Sequence, residues 1–150
     1  MTTWNHIGSW RTSLMNIITK EQILSMYKSI ISKTGGTYGI RDENLLESSI
    51  DSIYQSFSEH NIFDVNDVIY AYPSIQARAT RLCYNIITLH PFIDGNKRIG
   101  THCMLVLLKI NGYKIEYKSK DLTSIIMQLS SSKLDYFKFL KWVEERCYKR

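Results

Sequence analysis

From residue 18 onward, apolar positions recur at the three- and four-residue spacing of amphipathic helices. Ile18 and Ile23 flank Thr19–Gln22, a capping box with an apolar staple across it, so a first helix is predicted from there to about Ser32. It stops at Gly35–Gly36, which supply the positive φ needed to leave a helix. Asp42 caps a predicted second helix through about Phe57, with Leu45, Leu46, Ile50, Ile53, Tyr54 and Phe57 on one side. Residues 58–72, SEHNIFDVNDVIYAY, break the period and mix aromatics with Asn and Asp, as a loop or small hairpin does. Pro73–Ser74 start a third helix whose buried stripe is Ile75, Ala79, Leu82, Cys83, Ile86 and Ile87. A fourth carries Ile99, Cys103, Val106, Leu107 and Ile110 and closes at Asn111–Gly112. YKIEY alternates, as an edge strand or an extended connection. Asp121 is expected to cap a fifth helix holding Leu122, Ile125, Ile126 and Leu129, and a sixth runs from about Lys133 through Leu134, Phe137, Leu140, Trp142 and Val143. About six helices with short connections predict an all-α bundle with a small loop or hairpin flap.

Composition narrows this picture only a little. A chain of 150 residues with 44% hydrophobic residues fits one globular domain with a real core. CMLVLL is about the longest apolar run, far short of a membrane span, and no cationic patch leads an apolar block at the N-terminus. A soluble, cytoplasmic protein with no membrane partner is expected. Cys83, Cys103 and Cys147 are odd in number, lack a CxxC pair and fall at apolar helix positions, so buried thiols in a reducing compartment are expected rather than disulfides or zinc ligands. The four histidines show no metal-ligand spacing. Residues 1–15 have two Trp and no periodicity and read as an N-terminal extension, non-native or disordered, ahead of a domain over 16–150. The net charge of +5 favours anionic partners. Nucleic acid is the less favoured of these, because no helix carries a dense Lys/Arg face.

The informative stretch is HPFIDGNKRIGTH, residues 90–102, set between two segments that otherwise read as buried helix. Asp94–Gly95–Asn96 reads as a turn, with the next helix starting near Asn96 or Lys97. A helix N-terminus exposes N–H groups and a partial positive charge, and Gly95 lets the backbone approach a ligand closely, which together suit a di- or triphosphate. Lys97 and Arg98 add positive charge at the end of a helix where cations are unfavourable, a mismatch that a bound anion resolves. Asp94 has two readings: a hard ligand for magnesium carried with phosphates, or an N-cap for the fourth helix. His90 likewise is either a base that takes a proton from an attacking hydroxyl or a satisfied histidine capping the third helix. Phe92 reads as the apolar anchor of the loop, and Pro91 stiffens the exit from the third helix. No Ser, Thr or Cys stands beside His90 as a nucleophile, so the attacking hydroxyl belongs to a substrate. Lys33 and Arg41 are further phosphate partners on charge alone.

HPFIDGNKR resembles the signature of the Fic/Doc superfamily, HxFx(D/E)(G/A)N(G/K)R. The flanks GGTYGIRDENLLESSI and LLKINGYKI are similar to those of its Doc, or death-on-curing, branch, and the resemblance covers about residues 16–146. It implies that His90 is the catalytic base, that Asp94 coordinates Mg2+, and that Gly95, Asn96, Lys97 and Arg98 bind the phosphates of ATP. Residues 58–72 then match the flap that pairs with an extended target segment. Lys97 replaces a Gly, and Thr101 a second Arg, of the adenylyl-transferring members. The resemblance therefore implies γ-phosphate transfer to a Ser or Thr of a protein, with elongation factor Tu as the branch's associated target, blocking translation as the toxin of a toxin–antitoxin system. Adenylyl transfer and a non-catalytic nucleotide- or partner-binding module remain the alternatives. No Glu has Ser or Thr four residues before it, so the (S/T)xxxE(G/N) inhibitory signature is missing and restraint is expected from an antitoxin chain in trans.

Overall fold

The computed structural model describes residues 15–54, 56–57, 69–70 and 74–150. Residues 1–14 of the expected extension and most of the expected flap lie outside them.

The first helix, α1 (Lys20–Thr34), begins as its capping box dictates, with the Thr19 hydroxyl accepting from Gln22 N–H and the Gln22 side chain accepting from Thr19 N–H. Gly35, at φ 89°, ends it. Asp42 caps α2 (Glu43–Asp51) through Leu45 N–H. This helix stops short of the expected Phe57 and tightens into a 3₁₀ turn over Ser52–Tyr54. Asn85 is the physical reason, because its Nδ2 takes the Ser49 carbonyl at 3.2 Å and the Ser52 hydroxyl at 2.9 Å, drawing the last turn out of α-helical register. Two short strands follow, β1 (Ser56–Phe57) and β2 (Ile69–Tyr70), paired antiparallel.

Ser74 caps α3 (Ile75–Leu89), and α4 (Asn96–Ile110) returns after the loop at 90–95. These two helices make the most extensive contact among the described elements. Gly100 permits their close approach, since a Cβ there would lie 3.2 Å from the Cys83 carbonyl oxygen and 3.3 Å from Ile87. β3 (Tyr113–Ile115) pairs antiparallel with β4 (Cys147–Lys149), which settles YKIEY as a strand and puts Cys147 in a strand rather than on a helix.

The fifth helix, α5 (Ser119–Ser130), starts after Lys118 without a side-chain cap. Asp121 lies inside its first turn instead of capping it, a position where its charge still suits the helix dipole. Ser132, at φ 62°, interrupts the chain, and Asp135 caps α6 (Tyr136–Glu144) through Lys138 N–H. The sixth helix thus begins at Tyr136 rather than at the expected Lys133. Ser132, the cap an earlier start would need, is left-handed, while Asp135 has the extended backbone of an N-cap.

The six helices of the described residues share one core. Ile23, Tyr27, Leu46, Ile53, Leu82, Ile86, Ile99, Met104 and Phe139 are all fully buried in it. Cys83 and Cys103 lie in the same core as free thiols. No helix among the described residues is long and apolar enough to cross a membrane.

Candidate active site

The loop between α3 and α4 brings His90, Asp94, Gly95, Asn96, Lys97 and Arg98 to one place. His90 occupies the C-cap of α3 in the left-handed region, at φ 52° and ψ 57°. Glycine is the usual residue there, and a side chain at such φ costs of order 1 kcal/mol. Its backbone N–H reaches Ile86 O, while its exposed ring has no hydrogen-bond partner among the described residues. The backbone performs the capping, and the ring is left for something else.

Phe92, 1% exposed, anchors the loop in the core. Its backbone exchanges two hydrogen bonds with the Asn96 side chain: Phe92 N–H donates to Oδ1 at 3.0 Å, and Nδ2 donates to Phe92 O at 2.9 Å. That side chain therefore holds the loop closed, and what Asn96 offers a ligand is its backbone N–H.

The fourth helix starts at Gly95, φ 79°, with no side-chain cap. Its first backbone bond runs from Ile99 N–H to Gly95 O, so the N–H groups of Asn96, Lys97 and Arg98 have no acceptor among the described residues. The expected alternative for Asp94, capping this helix, does not hold. Asp94 Oδ1 accepts from Gly95 N–H at 2.8 Å, and Oδ2 accepts from Thr37 N–H at 3.0 Å. Those two donors, Thr37 first, hold the Asp94 carboxyl below its ordinary value of 3.8, with Arg98 and Lys97 adding to the effect.

Around this lies a strap, residues 35–42, whose role the sequence did not announce. Arg41 was a phosphate candidate on charge alone, but its guanidinium caps α3: Nε donates to His90 O at 2.5 Å and Nη2 to Leu89 O at 2.7 Å. Pro91 O accepts from the N–H groups of Arg41 and Asp42 at 2.7 and 3.0 Å, and Ile93 N–H donates to Gly39 O at 2.9 Å. Gly36, at φ 113°, passes so close that a Cβ would lie 2.5 Å from Asp94 Oδ2. GGTYGIRD held the only signal for this strap, through glycines that serve both a helix exit and a close approach.

Arg98 Nη1 donates to the Thr34 hydroxyl and, at 2.7 Å, to Gly35 O at the end of α1, while Nη2 lies 3.6 Å from Asp94 Oδ1. Lys97 is exposed and without an ion-pair partner among the described residues. Thr101 donates to Lys97 O at 2.7 Å. Beside Lys97, Arg98 and Thr101 opens a cleft of about 430 Å³ between α1, α4 and α5, with Ile30, Leu105 and Met127 in its apolar walls. Ile93 and Tyr38 stand out on the loop and strap, 56% and 53% exposed.

This arrangement can bind an anion on three free N–H groups flanked by two cations, with an ionised carboxylate and an unbonded imidazole on the same loop. The Fic/DOC family model matches residues 17–108, which include the whole loop, the strap, helices α1 to α3 and all but the last two residues of α4. The chain is also similar to "Protein kinase doc" of Escherichia phage P1, 24% identical over 120 residues, which cover 80% of this chain and 86% of the relative's length. With the family model spanning well over half of the chain and the loop geometry in accord, the chain belongs to the Fic/DOC family.

Proposed function

We propose that this chain is a Doc-like toxin that transfers the γ-phosphate of ATP to a Ser or Thr hydroxyl of a protein target, with elongation factor Tu as that target, and so blocks translation. The observation that carries it is the pairing of an exposed, unbonded His90 ring with the unsatisfied α4 N-terminus on one short loop. The kinase name of the phage P1 relative supports the phosphoryl branch.

In this mechanism His90 accepts the proton of the attacking hydroxyl as the new O–P bond forms at the γ-phosphorus and the bond to ADP breaks. The N–H groups of Asn96, Lys97 and Arg98 hold the phosphate oxygens, Gly95 keeps the backbone close, and Lys97 and Arg98 balance the charge. Asp94 fits a magnesium ion that is carried in by phosphates: each oxygen accepts one N–H and keeps acceptor capacity, and no group of three or more ligating side chains gathers among the described residues. Bound there, Mg2+ supplies charge neutralisation on the phosphate oxygens. The cleft beside Lys97 and Arg98 gives a cognate antitoxin, acting in trans, a surface from which to reach the same cations.

Adenylyl transfer is the second reading, favoured by the motif residues that both branches share. Lys97 and Thr101 weigh against it, since Thr101 hydrogen-bonds its own helix where the other branch places an arginine. Controlled expression in bacteria tests the toxin assignment. Wild type should arrest growth and translation, and His90→Ala, equally abundant and folded, should not. Growth arrest that persists in His90→Ala contradicts the proposal.

A further inference from the structure

Tyr27 reaches the Asp94–Gly95 peptide of the loop from the core side. It lies on α1, fully buried, with its ring stacked on Phe92 at 3.9 Å between centroids and on Tyr38 at 5.3 Å. Its hydroxyl donates to the Asp94 carbonyl oxygen at 2.8 Å, much shorter than its 3.3 Å distances to the Thr37 and Gly39 carbonyl oxygens, and accepts from Gly39 N–H at 3.3 Å. The opposite end of the same peptide plane, Gly95 N–H, is held at 2.8 Å by the Asp94 carboxylate. One plane is thus fixed at its carbonyl by Tyr27 and at its N–H by Asp94.

Without those two bonds such a plane can turn over. Gly95 sits at φ 79°, and glycine takes either sign of φ with little penalty. Opposite changes in ψ of Asp94 and φ of Gly95 would exchange the carbonyl and the N–H with no Cβ in the way at Gly95. The flipped plane would take the Gly95 N–H away from the Asp94 carboxylate and turn a carbonyl oxygen toward it, so the carboxylate would lose one of its two donors.

We propose that Tyr27 is a positioning residue of this site: its buried hydroxyl selects the orientation of the Asp94–Gly95 peptide and so aims the Asp94 carboxylate and the α4 N-terminus. Neither ring stack supplies this function, because stacking on Phe92 and Tyr38 survives loss of the hydroxyl. The metal-binding consequence rests on the magnesium–nucleotide chemistry proposed above, whereas the effect on the peptide itself does not.

Tyr27→Phe tests it, with Tyr54→Phe as control. Tyr54 is also partly buried, and its hydroxyl accepts from Ile18 N–H at 3.2 Å, away from the loop. Two readouts are taken: hydrogen exchange of the Gly95 amide by NMR, and Mg2+ affinity in the presence of ATP by calorimetry. In Tyr27→Phe the Gly95 amide should exchange about tenfold faster and Mg2+ should bind about tenfold more weakly, the scale of one lost hydrogen bond. Both should stay at wild-type values in Tyr54→Phe, even if both variants melt earlier. Unchanged Gly95 exchange in Tyr27→Phe overturns the inference, as does an equal change in the control. If Gly95 responds as expected but wild type itself binds no Mg2+–ATP, the positioning role stands and the proposed function falls.

Discussion

At the scale of single residues, the loop keeps groups in places where stability alone would choose others. His90 holds a left-handed conformation that glycine adopts more cheaply. His90→Gly should therefore raise the unfolding free energy by about 1 kcal/mol while abolishing transfer, as measured by urea unfolding beside an activity assay. A destabilised His90→Gly would show that the ring has a structural partner. Asp94 offers a test through pH. Its folded carboxyl lies below the ordinary value of 3.8, so its stabilising contribution is present above about pH 4 and is lost as pH falls through the depressed folded value. Asp94→Asn should flatten the acid limb of the unfolding midpoint below about pH 4, relative to wild type. An identical acid limb in the variant would mean that the Thr37 and Gly95 hydrogen bonds add nothing to the charged form.

At the scale of elements, the site is a junction of helix ends fastened by the strap. The Arg41 fork closes the C-terminus of α3, and the same strap places Thr37 N–H on Asp94. Arg41→Ala should lower stability by about 1–3 kcal/mol and also slow transfer, because His90 and Asp94 both lean on the strap. Arg41→Lys should rescue little, since a single ammonium cannot reproduce two guanidinium bonds in fixed geometry. Chemical denaturation and steady-state kinetics on both variants check this, and full rescue by Lys would reduce Arg41 to a point charge.

Much of this level was legible in the sequence where the signals are local. The Thr19–Gln22 box and the Asp42 cap were written in adjacent residues, and the helices start where those residues say. What escaped was non-local. The early end of α2 depends on Asn85, the strand β4 depends on pairing with Tyr113–Ile115, and Arg41 finds its partners on Leu89 and His90. Charge alone made Arg41 a phosphate candidate, whereas geometry made it a cap. Asn96 shows the same limit, because a polar side chain in a motif can serve the loop itself rather than the ligand.

For the whole molecule, one core shared by the six described helices carries the cationic start of α4 on a chain of net charge +5. The motif was readable because its polarity is contiguous, and the family match over residues 17–108 agrees with it. Fold and family do not fix which phosphorus is attacked. That choice rests on how Lys97 and Thr101 shape the cradle, and isotopic labelling addresses it directly. Purified wild type and His90→Ala are incubated with a bacterial lysate, Mg2+ and ATP labelled at either the α or the γ phosphorus. Label from the γ position alone, on one acceptor and dependent on His90, is the predicted result. Label from the α position would contradict phosphoryl transfer and assign the chain to nucleotidyl transfer instead.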